Sequence, residues 1–189
     1  MSPLDHVVAV GRLLDSVGVP WVLGGSLASS IVGEPRTTVD VDIAVLFDRA
    51  DVERLVALFE SDYYVSLDMV RDAVERGSSF NLLHHDTGMK IDLFALGDGV
   101  LDRNQLQRRT LVRLDSDTEI WVGSAEDQIL RKLSWYRMGG EVSDRQWRDV
   151  LAIIRVQGAR IDRSELASVA RQAGLDDLVT RAIEDSRSG

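Results

Sequence analysis

Two aspartates on alternate residues of an otherwise apolar run constrain this chain more than any other feature. The run TTVDVDIAVLF, residues 37–47, is rich in β-branched residues and is apolar except at Asp40 and Asp42, which predicts a central β-strand. Residues i and i+2 of a strand point to the same face, so we expect the two carboxylates to project together. Carboxylates that lose hydration side by side repel each other, and a bridging cation is the usual compensation.

A third acid is expected on a neighbouring strand. The runs SSFNLLHH and MKIDLFAL, joined at Asp86-Thr87-Gly88, predict a β-hairpin, and Asp92 lies in the second run. Three acids on adjacent strands describe an oxygen-ligand site for Mg²⁺. An isolated Asp-x-Asp is more often a turn or a helix cap. An EF-hand is unsuitable because Val45 stands where that loop needs glycine.

The sequence Gly24-Gly25-Ser26 ends a short apolar strand, PWVLGG, and begins a predicted helix, SLASSIVG, that Ser26 is expected to cap. Glycines allow a close backbone approach, and amides at a helix start with a serine hydroxyl form an anion site. The structural alternative is a tight turn between strand and helix. A phosphate cradle that faces three acids is what a nucleoside triphosphate with Mg²⁺ requires, so the combination predicts nucleotide binding.

The composition limits the classes of partner. The net charge of -9 argues against indiscriminate nucleic-acid binding. Arginine-dense segments at 103–113 and 131–148 could form a local basic patch, although solvated helix faces are the simpler interpretation. The chain has no cysteine, which excludes thiolate metal sites. No apolar run approaches the roughly 20 residues of a membrane span, and no signal peptide is recognisable, so we expect a cytoplasmic protein without membrane contact.

The order of the elements predicts an α+β fold, with a mixed β-sheet flanked by helices and a C-terminal helical extension. Residues 1–123 are expected to form the α/β core, with helices at LDHVVAVGRLLDSVG and RADVERLVALFESD and a hairpin or edge strand at TLVRLDSDTEIWVGS. Residues 124–189 show helical patterns only and are expected to pack on that core.

The motifs together resemble a known superfamily. Gly25-Ser26, a spacer over residues 27–39, Asp40-Val41-Asp42 and the later Asp92 resemble the signature of the polymerase-β-type nucleotidyltransferases. The runs GEPRTTVDVDI and EDQILRKLSWYR, the latter followed by RDV, are also similar to small bacterial proteins related to AbiEii toxins and minimal nucleotidyltransferases. The resemblance covers roughly residues 21–150 and implies a nucleotidyltransferase-type sheet.

The resemblance implies roles for the acids and for the turn. Asp40 and Asp42 would hold two Mg²⁺ ions, and Asp92 would hold the catalytic one and could act as base for the attacking hydroxyl. Two ions about 4 Å apart would stabilise an in-line displacement at the α-phosphate. The turn formed by Gly24, Gly25 and Ser26 would bind the phosphates of the nucleoside triphosphate donor.

Three basic residues are candidate nucleotide contacts. Lys90 shares a face with Asp92 and could neutralise a phosphate or pair with an aspartate. Arg36 precedes the acid strand and could reach the nucleotide or form a surface ion pair. Lys132 falls where the AbiEii-like proteins carry a lysine, and it could equally be an ordinary helix charge.

The expected function is a Mg²⁺-dependent transferase that moves a nucleoside monophosphate from a nucleoside triphosphate to a hydroxyl. The acceptor stays open between a tRNA end, a protein side chain and a small molecule, because the fold specifies the donor more than the acceptor. The resemblance also implies a possible partner protein of toxin-antitoxin type. The alternatives are a non-catalytic binding or antitoxin protein on the same fold, and a glycosyltransferase that uses Asp-x-Asp.

Overall fold

A seven-stranded mixed β-sheet organises the residues that the structure, a computed structural model, describes, namely 1–35 and 37–188. The strands are β1 (Trp21–Leu23), β2 (Val41–Val45), β3 (Tyr63–Tyr64), β4 (Ser79–His84), β5 (Lys90–Ala95), β6 (Thr110–Arg113) and β7 (Glu119–Val122). Their order across the sheet is β3-β4-β5-β2-β1-β7-β6. The pairs β2/β5 and β1/β7 are parallel, and the other neighbours are antiparallel. The sheet confirms the predicted fold class, with the acid strand at its centre.

Helices flank the sheet and then form a layer of their own. They are α1 (Pro3–Ser16), α2 (Gly25–Val32), α3 (Val52–Phe59), α4 (Leu67–Arg76), α5 (Val100–Gln107), α6 (Ala125–Met138), α7 (Asp144–Gln157), α8 (Arg163–Ala173) and α9 (Asp176–Ser188). Short 3₁₀ turns lie at Arg49–Asp51 and Gly158–Arg160. In the described part of the chain, the helices all fall short of the length and apolarity needed to cross a bilayer.

Alternation along the central strands separates a buried face from a site-bearing face. Ile43 on β2 and Leu93 on β5 are fully buried in the main core, which also includes side chains from α1, α3 and α4. Asp42 and Asp92 point the other way because each precedes one of these residues. The same face carries Phe94, whose ring packs against Trp135 of α6 with centroids 5.9 Å apart. The Asp42 and Asp92 side chains therefore lie on the face that packs against the helical layer, opposite the main core.

The helical layer has its own apolar cluster, to which α6, α7, α8 and α9 all contribute. Ile129, Leu133 and Ile153 are its well-buried members on α6 and α7, and Val32 of α2 packs against it. This contact fixes α6 and α7 beside the turn that precedes α2. The division of the chain into a core of residues 1–123 and a helical extension of residues 124–189 stays a prediction.

The structure corrects two local predictions. Ser26 is not the cap of α2: the helix begins at Gly25, and its N-cap is Gly24, which has no side chain to offer. Asp40 lies just before β2 rather than within it, because the strand begins at Val41. The structure also contains β3, α4 and α5, which the sequence analysis did not predict.

Candidate active site

Asp42 and Asp92 are direct neighbours across two parallel strands. The register of β2 and β5 pairs Asp42 with Asp92, and Ile43 and Ala44 continue it with Leu93 and Phe94. Strands in a sheet lie roughly 5 Å apart, so carboxylates at paired positions on one face share a small volume. The prediction that Asp92 lies on the strand next to the acid strand is confirmed. Both side chains are partly buried.

The glycine turn lies directly against Asp42. Gly25 has φ +60°, and a Cβ built on it would stand 1.8 Å from Asp42 Oδ2 and 2.8 Å from Asp42 Cβ. The Gly24 backbone N–H donates to the Asp42 carbonyl oxygen at 2.9 Å. The Ser26 backbone N–H donates to the Asp42 carboxylate. The start of α2 and the central acid therefore form one unit, and only glycine fits at position 25.

The Asp42 carboxyl is partly buried and lies near two other acids, and both conditions affect its pKa. Burial raises the pKa of its carboxyl, and the negative charges of Asp92 and Asp40 raise that pKa further. The Ser26 N–H and the Lys132 ammonium act in the opposite direction. An acid whose pKa is raised by other acids gains from a nearby cation. The three predicted acids are thus close enough to interact electrostatically.

Asp92 and Asp40 each form an ion pair with a basic side chain. Lys90 Nζ lies 2.9 Å from Asp92 Oδ2, so Lys90 adopts the ion-pair role that was one of its two predicted alternatives. Arg145 Nη2, from the first turn of α7, lies 3.6 Å from Asp40 Oδ2 and donates to Ser26 Oγ at 3.1 Å. The Arg145 side chain thus spans the space between the glycine turn and the first acid.

Lys132 belongs to the site rather than to a helix surface. It is almost fully buried on α6, and its Nζ lies 2.7 Å from Asp149 Oδ2 on α7. Both residues line a cleft of about 440 Å³ that also contains the turn and the acids. The other side chains around this cleft are Asp40, Asp42, Asp92, Phe94, Trp135, Ser143, Arg145 and Gln146. Positive groups from α6 and α7 therefore face the acids from the opposite wall.

A narrower cavity of about 270 Å³ adjoins the cleft on the same face of the sheet. It shares Gly25, Asp42, Phe94 and Trp135 with the cleft. Its remaining polar lining includes Gln105, Gln128, Asp102, Arg131 and Ser134. Arg131 is paired with Asp102 and donates through Nε to Gln105 Oε1 at 3.1 Å, so this cavity presents no unpaired arginine. The pair of cavities offers a strongly charged compartment beside a less charged one, and Asp42 lines both.

The donor chemistry of the acids fits a hard divalent cation. Asp42 and Asp92 supply carboxylate oxygens from register neighbours, and the pKa of Asp42 is raised by both other acids. Carboxylates are the ligands that Mg²⁺ prefers. Over residues 1–35 and 37–188, no three His, Asp or Glu side chains stand close enough together to hold a metal ion. The predicted ligand set of Asp40, Asp42 and Asp92 is therefore not assembled in the structure, and it stays a prediction.

The remaining predicted contacts divide by position. Arg36 lies outside the described residues. In the arginine-dense segment 131–148, Arg137 pairs with Asp177 of α9 and does not line the cleft. Arg145 was not singled out by the sequence reasoning beyond its place in that segment. Its only sequence signal is a basic residue in the first turn of a helix, where acidic residues are favoured.

Comparison with solved structures identifies the fold. An antigenic nucleotidyltransferase-like protein from Paracoccidioides brasiliensis is 18% identical, with a TM-score of 0.59 over 97% of this chain and 92% of that protein. The lincosamide antibiotic adenylyltransferase LnuA with bound lincomycin is 15% identical, with a TM-score of 0.51 over 80% and 94%. ANT(2'')-Ia in complex with adenylyl-2''-tobramycin is 14% identical, with a TM-score of 0.54 over 93% and 97%.

These structural neighbours are nucleotidyltransferases or nucleotidyltransferase-like proteins, and at such identities the likeness shows the fold. No protein-family model and no curated protein sequence matches the chain. The similarity to AbiEii-related proteins stays a prediction. The nucleotidyltransferase fold gives no support to the glycosyltransferase alternative.

Proposed function

We propose that this chain is a Mg²⁺-dependent nucleotidyltransferase that transfers a nucleoside monophosphate from a nucleoside triphosphate to a hydroxyl group. One observation carries the proposal: the Gly25 turn is built against the carboxylate of Asp42, which is itself paired in register with Asp92. A turn needed only to connect a strand to a helix would not require this approach. It joins a helix N-terminus, which favours phosphate, to acids that favour a cation.

The residues of the cleft have distinct roles in this proposal. The backbone amides at the start of α2 and the Ser26 hydroxyl would hold phosphate oxygens, and Lys132 would offset their charge from the opposite wall. Asp42 and Asp92 would hold the cation, with Asp40 as a further ligand. Mg²⁺ supplies charge stabilisation for the attacking and leaving oxygens. Asp92 would also accept the proton of the attacking hydroxyl, once Lys90 no longer pairs with it.

The narrower, less charged cavity beside the cleft is the candidate site for the nucleobase. Phe94 and Trp135 give it aromatic walls, and its floor carries the buried amides of Gln105 and Gln128. Because Gln105 Oε1 accepts from Arg131, the amide is oriented with its Nε2 donor free to meet an acceptor on a base. Phosphates would therefore lie in the strongly charged compartment and the uncharged base in the less charged one.

The proposed activity predicts that nucleoside triphosphates bind more tightly with Mg²⁺ than without it. Calorimetric titration with ATP, CTP, GTP and UTP would rank the donors. Incubation of each α-labelled triphosphate with cellular RNA, protein extract or a small-molecule extract should then label one class of acceptor. Absence of binding at millimolar triphosphate in the presence of Mg²⁺ would favour the non-catalytic alternative instead.

The nucleobase assignment predicts different effects for two kinds of substitution. Trp135→Ala should weaken all four triphosphates, by about fivefold or more, because base stacking on an aromatic ring contributes about 1–3 kcal/mol. Gln105→Glu keeps the oxygen that Arg131 contacts but replaces the Nε2 donor, so it should change the ranking of the four donors. Trp121→Ala is a matched control, because that ring lies beneath Arg109, 4.7 Å from its guanidinium carbon, on β7. An unchanged ranking in Gln105→Glu would contradict the assignment.

A non-catalytic protein on the same fold is the second candidate. The observation that favours it is the occupation of Asp92 by Lys90 and of Asp40 by Arg145, since acids paired with permanent cations bind a metal less well. Both side chains of the Arg145–Asp40 pair are more than half exposed, however, and so is Lys90 in its pair with the partly buried Asp92. Exposed ion pairs contribute at most about 1 kcal/mol. A bound divalent ion and a triphosphate would displace them. The acceptor, and a partner protein of toxin-antitoxin type, stay predictions.

A further inference from the structure

Arg145 contacts two predicted parts of the active site at once. Its Nη2 donates to Ser26 Oγ at 3.1 Å and lies 3.6 Å from Asp40 Oδ2. Ser26 belongs to the predicted phosphate site and Asp40 to the predicted metal site. More than half of the Arg145 side chain and of the Asp40 side chain is exposed, so neither contact is held by burial.

The position of the guanidinium follows from the packing of α7. Ser143 caps α7 by accepting the Gln146 N–H, which fixes the first turn of the helix. Farther along, Ile153 of α7 packs against Gly33 at the end of α2, where a Cβ would stand 3.1 Å from its side chain. The two helices therefore hold their N-terminal turns on opposite sides of the cleft. Arg145 bridges that gap, while Arg148, one turn later, donates to the Asp144 carbonyl oxygen of its own helix.

We propose that Arg145 couples the metal site to the nucleotide site by exchanging partners. Without nucleotide, it pairs with Asp40 and competes with a divalent cation for that carboxylate. When a triphosphate binds at Ser26, a phosphate oxygen becomes the stronger partner for the guanidinium, because its fork geometry matches phosphate. Asp40 is then released to the cation. This inference rests on the proposed function, because it assumes that the ligand at Ser26 is a triphosphate.

The exchange has opposite consequences for the two ligands. Removal of the Arg145 side chain takes a competitor away from Asp40, so the nucleotide-free protein should bind a divalent cation more tightly. The same removal deletes a charge-assisted contact to phosphate, so the triphosphate should bind less tightly. In thermodynamic terms, the increase in triphosphate affinity caused by the metal should be smaller in the variant. A residue with a merely structural role would not give opposite signs.

The test is a titration of the nucleotide-free full chain with Mn²⁺, followed by electron paramagnetic resonance. Arg145→Ala is expected to bind Mn²⁺ about two- to fivefold more tightly than the wild type, which is the range for loss of an exposed ion pair. A second titration measures a non-hydrolysable ATP analogue with saturating Mg²⁺. There the variant is expected to bind at least about tenfold more weakly. Arg145→Lys keeps the positive charge but lacks the forked guanidinium. Its affinities for Mn²⁺ and for the ATP analogue should lie between those of the wild type and of Arg145→Ala.

Arg148→Ala is the matched control for the Mn²⁺ titration. It removes the same charge from the same helix, beside a cavity that Asp40 also lines. Arg148 donates to the Asp144 carbonyl oxygen, however, whereas Arg145 contacts Ser26 and Asp40. Equal Mn²⁺ affinities in Arg145→Ala and Arg148→Ala would overturn the proposal, since the effect would then be one of overall charge. Unchanged binding of the ATP analogue in Arg145→Ala would also overturn it. If the wild type itself binds no triphosphate, the proposed function fails instead, so the two failures are distinguishable.

Discussion

Replacement of Asp42 by asparagine is expected to abolish nucleotide transfer and to stabilise the metal-free protein at neutral pH. Transfer should fall by at least about a hundredfold, because a catalytic metal supplies several kcal/mol of charge stabilisation. Asparagine keeps an oxygen that can accept the Ser26 N–H but removes the charge that Asp92 and Asp40 oppose. Loss of activity with a gain in stability separates a catalytic acid from a structural one.

The stability change should depend on pH with a defined sign. The pKa of Asp42 is raised in the folded chain above its ordinary value of 3.8, so ionisation of the carboxyl opposes folding. The folded state keeps the proton to higher pH, and the carboxyl's favourable contribution is lost as pH rises through the folded pKa. The gain in stability of Asp42→Asn over the wild type should therefore be complete above that pKa and should shrink as the pH falls below it.

Thermal melts without Mg²⁺ across a pH series, together with transfer assays with Mg²⁺, test both halves of this prediction. Asp68→Asn is a suitable control, because the Asp68 side chain on α4 is 96% exposed and does not line the cleft. Undiminished transfer by Asp42→Asn would contradict the catalytic role. A variant that melts below the wild type at neutral pH would contradict the electrostatic account.

Gly25→Ala is expected to destabilise the fold strongly and to remove nucleotide binding. A side chain at φ +60° costs about 1–2 kcal/mol, and the crowding around the new Cβ costs about 1–3 kcal/mol more. Rotation of the Asp42 carboxylate cannot relieve the clash, because Asp42 Cβ would also lie 2.8 Å from the new Cβ. Strand β2 and the start of α2 must separate, so the free energy of unfolding should fall by about 2–5 kcal/mol.

Gly24→Ala provides the comparison for stability. Gly24 is the N-cap of α2 with φ -120°, which any residue adopts, and a Cβ there would meet only the Asp42 carbonyl oxygen at 3.8 Å. Urea denaturation of both variants should show a large loss for Gly25→Ala and a small one for Gly24→Ala. Equal midpoints for the two variants would show that the approach of the turn to Asp42 is not required.

Strand periodicity and turn chemistry determined much of this protein from the sequence alone. Strand periodicity predicted that Asp40 and Asp42 project together, and the hairpin signal predicted Asp92 on a neighbouring strand. The structure pairs Asp42 with Asp92 and buries Ile43 and Leu93 on the opposite face of the sheet. The hairpin of β4 and β5 and the helical run after residue 124 followed from local signals as well. The short elements β3, α4 and α5 were not predicted.

Tertiary structure decided what the acids and the basic residues contact. The parallel register that places Asp42 beside Asp92 joins β2 and β5, which are separated along the chain by α3, β3, α4 and β4, and local pattern does not encode such a pairing. The sequence suggested that the Ser26 side chain caps α2. Instead, the Asp42 carboxylate on β2 accepts the Ser26 N–H, so a residue distant in sequence satisfies a backbone donor at the start of the helix. Arg145 meets Ser26 across 119 positions of the chain because α2 and α7 share an apolar contact at Gly33 and Ile153. Local propensity acts over a few residues, whereas these contacts depend on how separate layers pack, and that packing determines which charges share the cleft.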